Sequence, residues 1–297
     1  MYYLRLSTLF ALVFFFTSCE NKTQTQRYAP QGTVERITVY KVGIHPYLNS
    51  KKMYSSYRPL LDHLEKNIAG VEFVLETSAD YEAYNKKLYQ GAFDFSLPNP
   101  YQTYNALAKN YNVIAKMKPD SVFRGILVAR KDLHIQKPSE LLGKTVSFPA
   151  PTALAATMMP LYYLHEKGVD TKLIKKKYVG SQYSSIINAY SKDSFIAATW
   201  PPPWEAWCKE NPTKALEMEV VWETQALINN GFIAHQRVKN SLAKEVATLL
   251  VDLCESDEGK ALLKNAGFEG FEYANNATYL VVEEFLKKYE QALGPLQ

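Results

Sequence analysis

The stretch from Thr145 to Asp170 has the residue types and spacing of an anion-binding turn between a strand and a helix. A short apolar run, T-V-S-F, leads into a proline-bounded turn, P-A-P-T. A helix is predicted to open near Pro151 or Thr152, because proline suits the first helical position and threonine suits the cap, and Gly168 is predicted to end it. The free N–H groups and positive dipole end of such a helix favour a small anion. The chemistry indicated is reversible binding, although many such turns in α/β proteins bind nothing.

Motifs for covalent or metal chemistry are missing from the sequence. It contains no glycine-rich phosphate loop, no G-x-S-x-G and no H-E-x-x-H, and its five histidines are dispersed. Cys208 and Cys254 have no metal-like spacing, and we expect both to be unpaired because they are predicted to lie in different lobes. Cys208 is the only candidate nucleophile. We therefore expect no metal, no cofactor and no enzymatic activity.

Alternating strand and helix patterns place polar and aromatic turns at the ends of several predicted strands. The turns are His45-Pro46-Tyr47, Pro98-Asn99-Pro100-Tyr101, Gly180-Ser181-Gln182-Tyr183 and Trp200-Pro201-Pro202-Pro203-Trp204. The helices are predicted at Tyr57–Ile68, Tyr81–Tyr89, Gln102–Lys109 and Ser184–Tyr190. A strand–helix–strand order favours parallel pairing, and open α/β sheets bind ligands at the carboxyl ends of their strands.

This pattern runs twice along the chain and predicts an α/β fold of two lobes joined by two chain crossings. The outer lobe is predicted to take residues 35–125 plus 225–297, and the inner lobe residues 126–222. Strands at Glu219–Glu223 and Gly231–His235 are predicted to return the chain to the outer lobe. A cleft between two such lobes is typical of a binding protein that closes on its ligand by a hinge motion.

The N-terminus is typical of a secretion signal. Residues 1–18 carry one positive charge and an apolar core, Leu9–Phe16, that is too short to span a bilayer. Small residues directly before Cys19 resemble a bacterial lipoprotein signal, which implies that Cys19 becomes the lipidated first residue of a cell-envelope, periplasmic protein. An ordinary signal peptide is the alternative. The polar residues 19–34 are predicted to be a tether.

Composition indicates a globular protein without a nucleic-acid partner. The 297 residues are 47% hydrophobic and 22% charged, and the net charge is only +4. The basic residues are scattered, and the longest run, Lys175-Lys176-Lys177, is typical of a solvated strand edge. Tyrosine is common, with 21 residues, and suits either a pocket that hydrogen-bonds a small solute or a wet surface.

An ordered set of segments resembles a known family. They are V-G-I-H-P-Y at 42–47, S-A-D-Y at 78–81, G-A-F-D-F at 91–95, R-G-I-L-V-A-R-K-D at 124–132, L-L-G-K-T-V-S-F-P-A-P at 141–151 and Y-V-G-S-Q-Y-S-S at 178–185. Their order and spacing, over about residues 36–260, resemble the phosphate/phosphite/phosphonate-binding proteins of bacterial ABC importers. The resemblance implies a type II periplasmic binding fold and capture of a small-molecule solute for an inner-membrane ABC permease.

The family's ligand residues, carried over to this sequence, imply a binding site. The tyrosine of its D-Y motif matches Tyr81, and its hydroxyl-rich helix start matches Thr152. Two of its strand-end turns match Asn99 and Ser181-Gln182. Together with the three neighbouring aromatic residues, the candidates are Tyr81, Asn99, Tyr101, Thr152, Ser181, Gln182, Tyr183 and Trp200. Structural roles remain open for several of them, such as a plain helix cap for Thr152 and a wedge between the lobes for Trp200.

This chain departs from the family pattern in three places. The helix start, Thr152-Ala153-Leu154-Ala155-Ala156, keeps one hydroxyl, the family's histidine is Gln182, and the acidic residue expected near Trp200 is absent. We therefore expect a divergent member that binds a phosphonate-like or other anionic solute against aromatic walls. The alternative function is ligand sensing for a membrane sensor kinase, which the sequence does not separate from transport.

Overall fold

The computed structural model describes residues 37–295, which contain eleven strands and ten α-helices. The strands are β1 (Thr38–Ile44), β2 (Val71–Glu76), β3 (Phe95–Leu97), β4 (Tyr111–Lys118), β5 (Ile126–Arg130), β6 (Thr145–Phe148), β7 (Lys175–Tyr178), β8 (Ile196–Thr199), β9 (Met218–Glu223), β10 (Gly231–His235) and β11 (Gly270–Tyr273). The helices are α1 (Ser50–Asn67), α2 (Tyr81–Tyr89), α3 (Pro100–Leu107), α4 (Met159–Glu166), α5 (Gln182–Tyr190), α6 (Pro201–Glu210), α7 (Pro212–Ala215), α8 (Asn240–Asp252), α9 (Asp257–Ala266) and α10 (Leu280–Leu293).

The outer lobe is built on a six-stranded sheet with the order β11-β4-β10-β3-β1-β2. Strand β1 pairs in parallel with both β2 and β3, as expected for strands that are linked by helices. Strand β10 runs antiparallel to β3 and β4, and β11 runs antiparallel to β4. The carboxyl ends of β1 and β3 therefore open onto one edge of the sheet, where α2 and α3 begin.

The inner lobe is built on a five-stranded sheet with the order β7-β6-β8-β5-β9. Strands β7, β6 and β8 are parallel, and β5 runs antiparallel to β8 and β9. The chain enters this sheet after β4 and leaves it after β9, so two crossings join two α/β lobes, as the sequence predicted. One detail was wrong: Glu219–Glu223 stays in the inner sheet, because β9 pairs along β5, and only Gly231–His235 returns to the outer sheet.

Helix α1 begins seven residues before the predicted start at Tyr57. The side chain of Asn49 accepts a hydrogen bond from the N–H of Lys52 at 2.9 Å and caps the helix. Pro59 then lies inside the helix, where proline is ordinarily unfavourable by about 3 kcal/mol. Burial of Met53 and Tyr57 on the early turns offsets that cost, which is why the helix extends through the region before the proline.

The opening of α4 differs from the prediction of a start near Pro151 or Thr152. Helical structure begins at Leu154 as a π-helical turn, Leu154–Met158, that continues directly into α4. The preceding cap, Ala153, makes no side-chain cap hydrogen bond. Thr152 lies in the turn before the cap, so the plain N-cap reading of this residue was wrong.

Several further elements differ from the sequence prediction or were missed. The three prolines after Trp200 form the first turn of α6, where a missing N–H costs nothing because that turn has no intrahelical acceptor for it. Helix α5 begins at Gln182 rather than Ser184, because the Ser181 side chain accepts a hydrogen bond from the Ser184 N–H at 3.1 Å. Strands β4 and β11 and helix α9 were also missed.

The described chain from residue 37 to 295 packs as one compact unit, with one large hydrophobic cluster and two smaller ones. Within it, no helix combines the length and apolar character needed to cross a bilayer. Cys208 and Cys254 are free thiols, as predicted. The predicted signal segment, residues 1–18, and the predicted tether, residues 19–34 with Cys19, lie outside the described residues.

Candidate binding cleft

The two lobes meet through a buried hydrogen bond between Tyr81 and Gln182. Tyr81 is the first residue of α2 on the outer lobe, and Gln182 is the first residue of α5 on the inner lobe. The Gln182 Nε2 amide donates to the Tyr81 hydroxyl at 3.1 Å, and its Oε1 accepts from the Thr199 hydroxyl at 3.2 Å. Because Tyr81 is 1% and Gln182 3% exposed, burial dominates their environment and raises the pKa of the Tyr81 phenol. The phenol stays protonated and keeps its own O–H as a donor.

A second contact joins the start of α3 to the turn before α4. Asn99 caps α3 by accepting from the Gln102 N–H at 3.0 Å, and its Nδ2 donates to the carbonyl of Thr152 at 3.0 Å. The Thr152 hydroxyl accepts from Asn85 Nδ2 at 3.2 Å. Thr152 therefore accepts hydrogen bonds from two outer-lobe side chains, one at its carbonyl and one at its hydroxyl.

Trp200 closes the back of this contact region. Its ring is 1% exposed and lies between Phe123 and Tyr47, with ring centroids 5.5 and 5.7 Å away. The indole Nε1 is buried and has no hydrogen-bond partner among the described residues. A buried donor without a partner is unfavourable. A hydrogen bond from Nε1 to a ligand oxygen would therefore contribute more binding free energy than a hydrogen bond from a donor that is already solvated.

The start of the π-helical turn lies against Tyr81. Ala150, Ala153 and Ala156 form a buried apolar cluster with the Tyr81 ring. The first N–H to bond back into the helix is that of Thr157, which donates to the Ala153 carbonyl at 2.8 Å. The N–H groups of residues 154–156 have no backbone or side-chain acceptor in the described part of the chain. This turn therefore supplies unpaired backbone donors beside a tyrosine hydroxyl.

An ion pair lies at the rim of the same contact. Lys52 on α1 pairs with Glu210 at the end of α6, with side chains 27% and 39% exposed. Glu210 also accepts from the Tyr183 hydroxyl at 2.9 Å. This partly exposed group links the lobes across water-accessible surface, where an ion pair adds little stability.

The two crossings between the lobes are held side by side. Arg124 pairs with Glu223 at 2.8 Å, which joins the start of the first crossing strand to the end of β9. Between them, Gly125 passes so close to the π-helical turn that a Cβ atom there would overlap Ala155 and the Pro160 ring. Arg124 is thus a structural ion-pair partner at the hinge.

The structure brings five of the eight predicted site residues into the contact between the lobes and leaves three elsewhere. Those in the contact are Tyr81, Asn99, Thr152, Gln182 and Trp200. Ser181 caps α5, and Tyr183 faces Glu210 at the rim. Tyr101 points away toward α10, where burial and the Glu290 carboxylate raise the pKa of its phenol. In residues 37–295, no group of three or more His, Cys, Asp or Glu side chains is arranged to hold a metal ion.

Comparison with known proteins identifies the family. Residues 42–279 match the model of the ABC transporter, phosphonate, periplasmic substrate-binding proteins. The chain belongs to this family. A probable ABC transporter phosphite binding protein, PhnD1 of Prochlorococcus marinus (strain MIT 9301), is 24% identical over 193 residues, which are 60% of this chain and 65% of that relative. The family predicted from the sequence is therefore confirmed.

Solved structures share the fold of this family member. PhnD1 from Prochlorococcus marinus, in complex with methylphosphonate, has a TM-score of 0.77 at 22% identity, covering 85% of this chain and 98% of that one. A binding protein component of an ABC phosphonate transporter from Pseudomonas aeruginosa also has a TM-score of 0.77, at 17% identity over 85% and 87% of the two chains. The two-lobed periplasmic binding fold is therefore confirmed.

Sequence reasoning missed several side chains of the contact region. His45 and Tyr47 follow β1, and their rings lie 5.1 Å apart next to the region closed by Trp200. Asn85 lies inside α2, so no turn signal marked it. His45 and Tyr47 could have been found, because they occupy a strand end of the same kind as those that supplied the other candidates.

Proposed function

We propose that this protein is the solute-binding component of an ABC importer. It captures a small phosphonate-like or other anionic solute between its lobes and hands it to an inner-membrane permease. Family membership supports this role, which requires reversible binding and no turnover. The observation that carries the proposal is the direct contact of Tyr81 on one lobe with Gln182 on the other, beside unpaired donors of the inner lobe.

The solute would take its hydrogen bonds mainly from neutral donors. Tyr81, Gln182 and Trp200 supply side-chain donors, and the π-helical turn supplies backbone N–H groups at the positive end of a helix dipole. Asn99 and Thr152 position the turn from behind. This arrangement suits an anionic head group of a few oxygens beside the buried Trp200 ring.

Release and capture would involve rotation of one lobe against the other. We place the lobe boundaries at the two crossings, with residues 35–125 plus 225–297 in the outer lobe and 126–222 in the inner lobe. The positions of the two sheets along the chain support this division. Opening would separate the Tyr81–Gln182, Asn99–Thr152 and Lys52–Glu210 contacts, while Arg124–Glu223 keeps the crossings together.

We further propose that the protein is held in the cell envelope by a lipid on Cys19, facing the periplasm. The sequence before this cysteine supports the proposal, and the polar residues 19–34 would let the binding unit reach a permease. Incorporation of radiolabelled palmitate by cells, lost in Cys19→Ala, tests the anchor. An unlabelled native protein would contradict it.

Calorimetric titration of the purified protein tests the binding function. The panel holds phosphate, phosphite, methylphosphonate, 2-aminoethylphosphonate and methanesulfonate, and a thermal-unfolding screen with the same compounds gives an independent readout. We expect a small oxyanion to bind and to raise the unfolding temperature, and the affinity to fall in Gln182→Met. No binding by any member of the panel would overturn the proposal of an oxyanion-binding protein.

A further inference from the structure

The buried side chains around the contact of Tyr81 with Gln182 carry no formal charge. They are His45, Tyr47, Tyr81, Gln182, Thr199 and Trp200. All are at least nine-tenths buried, and none is Asp, Glu, Lys or Arg. An anion held here is recognised by donors and acceptors alone, because no cation neutralises it. The number of unpaired donors and acceptors, and their positions, therefore decide which protonation state of a solute fits.

His45 offers a single acceptor in this region. Its Nδ1 lies 2.9 Å from the carbonyl oxygen of Leu97, and a carbonyl only accepts, so Nδ1 carries the ring proton. In the neutral ring Nε2 is then a lone-pair acceptor. Among residues 37–295, the hydrogen bond of this ring is the one from Nδ1 to the Leu97 carbonyl. The ring is 1% exposed, and burial lowers its pKa to about 4, which keeps it neutral at neutral pH.

The groups that face the His45 ring do not charge in the physiological range. Tyr47 follows it in the chain, and Tyr81 and Tyr84 approach from α2, with ring centroids 5.1, 6.0 and 6.5 Å away. Burial raises the pKa of each of these phenols. Leu97, on β3, contributes only its carbonyl oxygen. The acceptor character of Nε2 is therefore constant between weakly acidic and weakly basic pH.

The remaining unpaired groups are mainly donors. They are the Trp200 indole N–H, the Tyr81 O–H and the N–H groups at the start of the π-helical turn, together with the Thr157 hydroxyl, which can donate or accept. A solute that satisfies the whole set must present several acceptor oxygens and one proton. A tetrahedral monoanion R–PO₂(OH)⁻ does so, since its two unprotonated oxygens accept and its P–OH donates.

We propose that His45 selects the protonated, singly charged form of a phosphonate by accepting the P–OH hydrogen bond at Nε2. The inference rests on the proposed function of this cleft. A phosphonate dianion would place an oxygen lone pair against the Nε2 lone pair. A sulfonate has the same shape and charge as the monoanion but no proton to donate, so it would leave Nε2 unpaired.

Methylphosphonate and methanesulfonate form a matched pair of ligands for the test. Each has a methyl group and three oxygens on a tetrahedral centre, and calorimetric titration from about pH 5.5 to about pH 8.5 covers the second ionisation expected for a phosphoryl group near neutrality. We expect methylphosphonate to bind at least about tenfold more tightly than methanesulfonate at the acid end. Its affinity then falls by about tenfold per pH unit above its second ionisation, and the weaker methanesulfonate affinity stays constant.

Variants at His45 assign the effect to this ring. His45→Phe removes the acceptor, so the preference for methylphosphonate over methanesulfonate should shrink to within about threefold. His45→Gln can place an oxygen near the Nε2 position and should keep part of the preference. His165→Gln, on the exposed end of α4, is the matched control and should leave the preference intact. Thermal unfolding confirms that each variant is folded.

The possible outcomes separate the two proposals. If neither ligand, nor any other member of the panel above, binds the natural protein, the binding function is wrong and the inference falls with it. If methanesulfonate binds as tightly as methylphosphonate, or if methylphosphonate binds more tightly as its dianion, the inference is overturned while the binding function stands. A His45→Phe protein that folds and keeps the full preference also overturns it. The pH series on the natural protein decides the question even if that variant does not fold.

Discussion

Replacing Tyr81 with Phe removes the hydroxyl that joins the two lobes and leaves the ring packing unchanged. In the closed form Gln182 Nε2 then loses its partner at 3.1 Å while remaining 3% exposed. A buried donor without a partner costs about 1–3 kcal/mol. When the lobes separate, both groups reach water, so the cost falls on the closed form alone. Solute affinity should therefore drop by about 5- to 150-fold.

Calorimetric titration with methylphosphonate measures this loss, and a double-mutant cycle with Gln182→Met isolates the contact. Methionine keeps the length of the glutamine side chain without its amide. The coupling energy should be at least about 0.5 kcal/mol, because the two groups share one hydrogen bond. Tyr273→Phe is the control, since its exposed hydroxyl bonds Thr248 on the outer surface at 3.2 Å. Additive effects of the two variants, or an unchanged affinity in Tyr81→Phe, would refute the assigned role of this contact.

Three further predictions concern the same region. Glu210→Gln breaks the pair with Lys52, whose partly exposed geometry limits the change in the free energy of unfolding, measured in urea, to less than about 1 kcal/mol. Trp200→Phe deletes a buried N–H without a partner, so stability in urea should be kept or raised while methylphosphonate affinity falls; a fall in both would contradict this account. Burial lowers the pKa of His45 from 6.5 to about 4, so the unfolded chain binds more protons between these values. Stability should therefore fall by up to about 3 kcal/mol as pH drops from 6.5 to 4, and His45→Gln should remove that part of the loss.

Regular segments with clear periodicity were predictable from the sequence. The bounds of α2, β6 and β10 agree with the predicted ones, because each has alternating or helical spacing and a turn residue next to it. The double βαβ pattern was enough to place two sheets and two crossings. The start of helix α1 was not predictable in this way, since proline is disfavoured inside a helix and only tertiary burial of Met53 and Tyr57 accounts for the turns before Pro59.

The location of the cleft was also predictable, because the rule that ligands bind at strand ends depends only on topology. The contacts that each side chain makes were not predictable from the sequence. His45 was visible as part of a strand-end turn, yet its acceptor role depends on a carbonyl 52 residues later in the chain. Thr152 offered a hydroxyl in the expected place, but Asn85 from the other lobe already donates to that hydroxyl, and Asn99 donates to the Thr152 carbonyl.

Gln182 and Tyr183 show why a small error in a helix boundary changes a predicted site. Successive helical residues point about 100° apart, so only one of two neighbours can face the opposite lobe. The Ser181 cap starts α5 at Gln182, two residues before the predicted start, and thereby aims Gln182 at Tyr81 and Tyr183 at Glu210. Removing that cap with Ser181→Ala should cost about 1 kcal/mol of stability and weaken solute binding, because the first turn would no longer hold Gln182 in place. If stability falls by this amount while affinity is unchanged, the cap does not set the direction of Gln182.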